Sequence, residues 1–171
     1  MPRVVVKKHI EDSLDNAQRL FDRELLNVTS KSYISLNYQI PKLAVLELGA
    51  WVEETQDALV LRCLRKQRVG VVELGEFKDF AVDPNSSLTY HAFRRMLMFS
   101  LGYSELLSLE KRLGSSNKQV LASKLGSLRT IRNEFAHTHR PSVAAVNTPQ
   151  FIKNNYFNEI YRIFRRIEVL L

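Results

Sequence analysis

Apolar residues in this chain recur three and four positions apart, a spacing that permits little besides packed α-helices. Ile10, Leu14, Ala17, Phe21, Leu25 and Val28 form one such series between His9 and Val28. On a helix of 3.6 residues per turn they share one face, which needs another element to cover it. After "NVTSKSYISLN" a second helix is expected from Tyr38 to Gln67, with Pro41 tolerated in its first turn. Its middle, "KLAVLELGAWVEETQDALVL", is apolar on most sides. It should therefore be the central, most buried helix, with Trp51 in the core. "LTYHAFRRMLMFSL" reads as a third helix, capped by Ser86 or Ser87 after Pro84. Gly102 kinks or splits it, and Ser104 can cap a continuation to Leu113. Beyond "GSSN", with Ser116 or Asn117 as cap, a fourth helix runs from Lys118 to the histidines and stops at Pro141. Thr148 then caps a last helix that opens on Pro149 and carries Ile152, Phe157, Ile160, Phe164, Ile167 and Leu171.

One stretch resists this pattern. "RVGVVELGEFKDFAVDPNSS" combines Val69, Val71, Val72 and Leu74 with Gly70 and Gly75. It reads as a short hairpin, or as a long structured loop, near residues 69–85. The expected architecture is all-α: a helical bundle of about five helices in a single domain over residues 1–171.

A chain of 171 residues can bury a substantial core without disulfides. The single cysteine, Cys63, allows no internal disulfide and no cysteine-based zinc site; within "LVLRCLRK" it reads as a small buried apolar residue. "MPRVVVKKHIEDS" lacks the apolar centre and cleavage site of a signal peptide. No run approaches the roughly 18 apolar residues of a membrane span. The expectation is a cytoplasmic protein with no membrane partner. The net charge of +7 favours a polyanionic partner such as nucleic acid.

The stretch "LRTIRNEFAHTHR", from Leu128 to Arg140, concentrates the chemistry. On a helical wheel Leu121, Leu125, Leu128, Ile131 and Phe135 form one apolar stripe, and Arg132 falls inside it. An arginine there snorkels outward, pairs with a carboxylate such as Glu47, Glu53 or Glu54, or lines a cavity. Asn133 and His137 are i,i+4 neighbours on the polar side. His137 alone reads equally well as a cationic cap on the helix C-terminus. Arg132 and His137 diverge by about 140° on an unbroken helix. Either the helix loosens after Ala136 or two chains share a site.

"LGSLRTIRNEFAH" resembles the signature helix of the HEPN superfamily, in which an arginine, a polar residue and a histidine four positions later recur. Arg132, Asn133 and His137 occupy those positions. The resemblance implies a helical bundle and, in many members, a metal-independent endoribonuclease that works as a homodimer without a cofactor. It implies Arg132 for transition-state charge, His137 for acid–base work and Asn133 for orienting His137 or a phosphate oxygen. Arg129, His139 and Arg140 would contact RNA. Many members are toxins or defence effectors, with an antitoxin or regulatory protein as a further partner. This chain departs from one toxin group, having His139 where a modifiable tyrosine is common. Arg94, Arg95, Arg162, Arg165 and Arg166 are further candidates for RNA backbone contact, or scattered solvated positions. His9 and His91 have no partner at metal-ligand spacing, and no HExxH, Walker or GxGxxG pattern occurs. Two other readings stay open: a catalytically silent module that binds nucleotide, RNA or protein, and a plain helical interaction protein.

Overall fold

The computed structural model describes residues 4–26, 33–137 and 147–171, and the side chains of 33–35 and 137 lie outside the description. The protein is all-helical, with no strand among the described residues. α1 spans Lys8–Leu25 and packs along α2, Tyr33–Lys66. A short α3, Val71–Phe77, runs on through a π-turn, Lys78–Val82, and a 3-10 turn, Asp83–Asn85. α4 is Tyr90–Leu101, α5 Tyr103–Leu113 and α6 Ser115–His137. The last helix, α7, comprises Pro149–Ile152, a π-turn at Lys153–Phe157 and Asn158–Leu170. The described residues form seven helices, where about five were expected. One extra helix comes from Gly102 splitting the third, the other from the 69–85 region.

That region forms neither a hairpin nor an irregular loop. Its valines favour strand locally, yet no neighbouring strand offers a ladder, and β propensity depends on such pairing. Leu74, Phe77, Ala81 and Val82 instead turn toward the bundle at helical spacing, with Ala81 and Val82 fully buried. Val71, Val72 and Phe80 face outward and stay exposed.

The cap positions differ from expectation for stated reasons. Thr89, not Ser86 or Ser87, caps α4, its hydroxyl accepting from the Ala92 N–H at 3.1 Å. α5 begins at Tyr103 directly after Gly102, so Ser104 is not its cap. Asn117 does not cap α6, because its side chain donates backwards to the Leu113 carbonyl at 2.8 Å. Thr148 does cap α7, accepting from the Phe151 N–H at 3.1 Å.

α2 is the central helix. Leu48, Val52, Leu59 and Val60 are fully buried, and α1, α4, α6 and α7 all pack on it. Trp51 is only half-buried. Its indole N–H donates to the Val6 carbonyl at 2.9 Å, and its ring stands 5.3 Å edge-on to Phe157. Phe164 links this cluster to Phe93 at 5.7 Å. Cys63 is buried as expected, its thiol pushed up to about 11 by burial. Two buried carboxylates join helices. Glu110 takes Tyr90 at 2.8 Å and Arg94 at 2.7 Å, tying α5 to α4. Burial opposes its charge, but the bonds from Arg94 and Tyr90 outweigh that and lower its pKa. Glu168 accepts from the Val4 N–H at 2.6 Å and pairs with Arg62 at 3.1 Å and with Arg165.

Gly102 has φ +80 and ψ 162, a region open essentially to glycine alone. Gly126 is an ordinary helical residue with open space where a Cβ would sit. Gly102→Ala should therefore cost about 1–3 kcal/mol, although nothing lies within 4 Å of its Cβ position. Gly126→Ala should stabilise by up to about 1 kcal/mol. Thermal melts that moved both variants in the same direction would contradict this backbone account.

Candidate functional site

The inner stripe of α6 is as expected. Leu121, Leu125 and Leu128 are fully buried, and Phe135 meets Tyr38 edge-on at 5.5 Å. Arg132 interrupts the stripe by running across α2 where α2 has no side chain. Its Cδ and Nε lie 3.5 Å from the position a Cβ would take on Gly49. Leu88, on the segment leading into α4, closes the other side at 3.4 Å. One turn further along α2, Glu53 accepts from the guanidinium at 3.3 Å. Of the three carboxylates open to Arg132, Glu53 is the partner. Glu47 and Glu54 instead line a separate cleft of about 160 Å³ with His9, Ser13 and Trp51.

The Arg132 side chain keeps 37% of its surface accessible. An ion pair that exposed is worth about 0–1 kcal/mol. Stability therefore gives Arg132 little reason to sit in the stripe. The groove over Gly49 holds the stem, Glu53 holds one end of the fork, and other N–H donors remain for an anion.

A second carboxylate follows on the same face of α2. Gly49, Glu53 and Asp57 are spaced four apart, and Asp57 is pushed up from 3.8 to about 6. Burial is the main cause, reinforced by Asp83 and Glu53 and opposed by Lys78 and by a hydrogen bond from Ser86. Its Oδ1 is buried without a hydrogen bond among the described residues. Arg132, Glu53 and Asp57 thus form a continuous charged seam, which the 78–86 segment covers beyond Glu53.

The remaining predicted residues distribute differently. Asn133 and Arg129 are exposed on α6. α6 stays helical through His137, whose side chain lies outside the description. His139 and Arg140 lie outside the described residues. Among the other arginines, Arg94 is committed to Glu110, while Arg95 bonds Asn85 at 3.1 Å and lies 3.2 Å from His91. Sequence reasoning missed Gly49, Asp57, Asp83 and Ser86. The signal for the first two was the four-residue spacing Gly49–Glu53–Asp57 on the central helix.

Asp57 carries a pH signature. Its folded pKa is raised, so its contribution to stability is complete below about pH 4 and is lost as pH rises through about 6. Asp57→Asn should thus raise the melting temperature at pH 8 and change it little at pH 4. Discounted for partial exposure, the gain is about 1 kcal/mol. An Asp57→Asn effect that is the same at both pH values would contradict the assigned titration. No protein-family model, no curated protein and no solved structure matches the chain.

Proposed function

We propose that the protein is a HEPN-like, metal-independent endoribonuclease that acts as a homodimer. The observation that carries this reading is the placement of Arg132: a half-exposed guanidinium laid over Gly49, held at one end by Glu53, on a helix that ends at His137. A cation fixed in this way suits the charge that builds on a phosphorane, because its geometry needs no reorganisation as the charge develops. Histidine gives and takes protons near neutral pH. In the reaction the RNA 2′-oxygen loses its proton and attacks the adjacent phosphorus. The 5′-oxygen then leaves with a proton, giving a cyclic phosphate and a free 5′-hydroxyl.

Arg132 stabilises the transition state, His137 carries the proton transfer and Asn133 orients His137 or a phosphate oxygen. Arg129, His139 and Arg140 hold the RNA flanking the cleft. On a helix that continues through His137, positions 132 and 137 stand about 140° apart around the axis. The working cleft therefore combines Arg132 and His137 of two protomers. A cytoplasmic toxin, defence or stress role fits such an activity, with an antitoxin or regulatory protein as its restraint.

One observation favours a second reading. Glu53 already neutralises part of the Arg132 charge, which suits a catalytically silent module that binds RNA, nucleotide or protein.

Purified protein incubated with RNA in excess chelator should yield cyclic-phosphate ends. His137→Ala should slow cleavage by about 10²–10⁴, and Arg132→Ala should be similarly defective. Gly49→Leu, which fills the groove under the arginine, should reproduce the Arg132→Ala defect. Mixing the Arg132→Ala and His137→Ala chains should restore activity through hybrid dimers. Varied RNAs left intact by the wild type would rule out cleavage of them, and RNA binding without cleavage would leave the silent module. Failure of the mixed chains to recover would remove the shared cleft.

A further inference from the structure

The C-terminal ends of α2, α5 and α7 meet at one end of the bundle, and cations gather there. Lys66 at the end of α2 donates to the main-chain oxygen of Leu171. Arg112 at the end of α5 donates to the Leu170 carbonyl at 3.2 Å. Arg166 on α7 reaches back to the Arg112 carbonyl at 3.3 Å. One layer inward, Arg62 at 3.1 Å and Arg165 both engage the buried Glu168. Arg65 and Lys111 extend the cluster from the last turns of α2 and α5, and both are exposed.

Helix capping accounts for only part of this. Each helix C-terminus carries the equivalent of about half a negative charge, so three ends amount to about one and a half. Glu168 adds one more, and a carboxylate at Leu171 would add another. The cations named above still exceed what these groups neutralise. The bonds to main-chain carbonyls also hold Lys66, Arg112 and Arg166 in place. Each guanidinium spends one of its five N–H donors on a carbonyl and turns others outward. Cations held this way lose little further freedom when they meet a row of phosphates, which the planar guanidinium grips two oxygens at a time.

We propose that this end of the bundle is a second RNA-contact surface, which holds the phosphate backbone of a single strand by charge. It stands thirteen residues along α2 from Glu53, or about 20 Å at 1.5 Å per residue. It is therefore separate from the Arg132 seam. The surface takes its choice of polyanion from the ribonuclease reading above, but its binding does not depend on cleavage.

The test uses the full-length chain and a fluorescent single-stranded 2′-O-methyl RNA, which has no free 2′-hydroxyl to attack. Affinity is measured against salt by anisotropy. Four phosphate contacts at about −0.7 each predict a roughly 50-fold loss of affinity between about 50 and 200 mM salt. The triple variant Arg65→Ser, Lys111→Ser, Arg166→Ser should flatten the log–log salt slope by about 2. The Arg65→Lys, Arg166→Lys variant should keep the slope, because the effect is Coulombic, and it guards against simple misfolding. Arg132→Ala should change the slope by no more than about 1. An unchanged slope in the folded triple variant, no binding by the wild type, or binding to phosphatidylserine vesicles in place of the oligonucleotide would each overturn the proposal. Unmodified RNA left uncleaved in a parallel incubation, while the slope on the 2′-O-methyl strand still depends on these residues, would remove the ribonuclease reading and leave this surface standing.

Discussion

Burial of α2 is the constraint on which the rest of the structure depends. A helix running from Tyr33 to Lys66 that is apolar on several sides cannot stay in water on any of them. α1, α4, α6 and α7 are the covers it acquires, and their positions follow from which stretch of α2 each one shields. One polar face through its middle carries Gly49, Glu53 and Asp57, and Glu47 and Glu54 lie on another. The charged seam and the packing therefore share a helix. The stripe of α6 that fills the core also delivers Arg132 to the gap at Gly49, so the seam is as rigid as the core beneath it.

Most of this order was legible in the residues. Of the first series, Ile10, Leu14, Ala17 and Phe21 are buried on α1, while Leu25 at its end is exposed and Val28 lies outside the described residues. On α6, Leu121, Leu125, Leu128 and Phe135 are buried and Ile131 is half-buried. Thr148 and Pro149 open the last helix as their chemistry dictates. What failed were local preferences that tertiary context overrode. The valines at 69, 71 and 72 argue for a strand, but a strand needs a partner ladder, and a helical bundle supplies none. Ser86 is a good cap in isolation, yet its hydroxyl serves Asp57.

The site was legible in part. That Arg132 would need a carboxylate, and that Glu53 was among three to choose from, followed from an arginine in an apolar stripe. Which of the three it meets depends on how α6 crosses α2, and that information is three-dimensional. Gly49 was invisible for a related reason. A glycine within a helix reads as a weakness of about 1 kcal/mol, and only the crossing shows it to be the floor beneath a guanidinium. The repulsion between Asp57 and Asp83 was equally hidden, because the two carboxylates sit on separate elements.

The bond between the Val4 N–H and Glu168 has a consequence for biosynthesis. It joins positions 164 residues apart, and α7 also supplies Phe157, Ile160, Ile163, Phe164 and Ile167 to the core. A ribosome emits α7 after α1, α2, α5 and α6, which it packs against. Until it arrives, Trp51 and Phe93 lack their aromatic partners and the acceptor for Val4 does not exist. The nascent chain must therefore hold an open, apolar-lined bundle until α7 has been made. The core is not finished before α7 has been made.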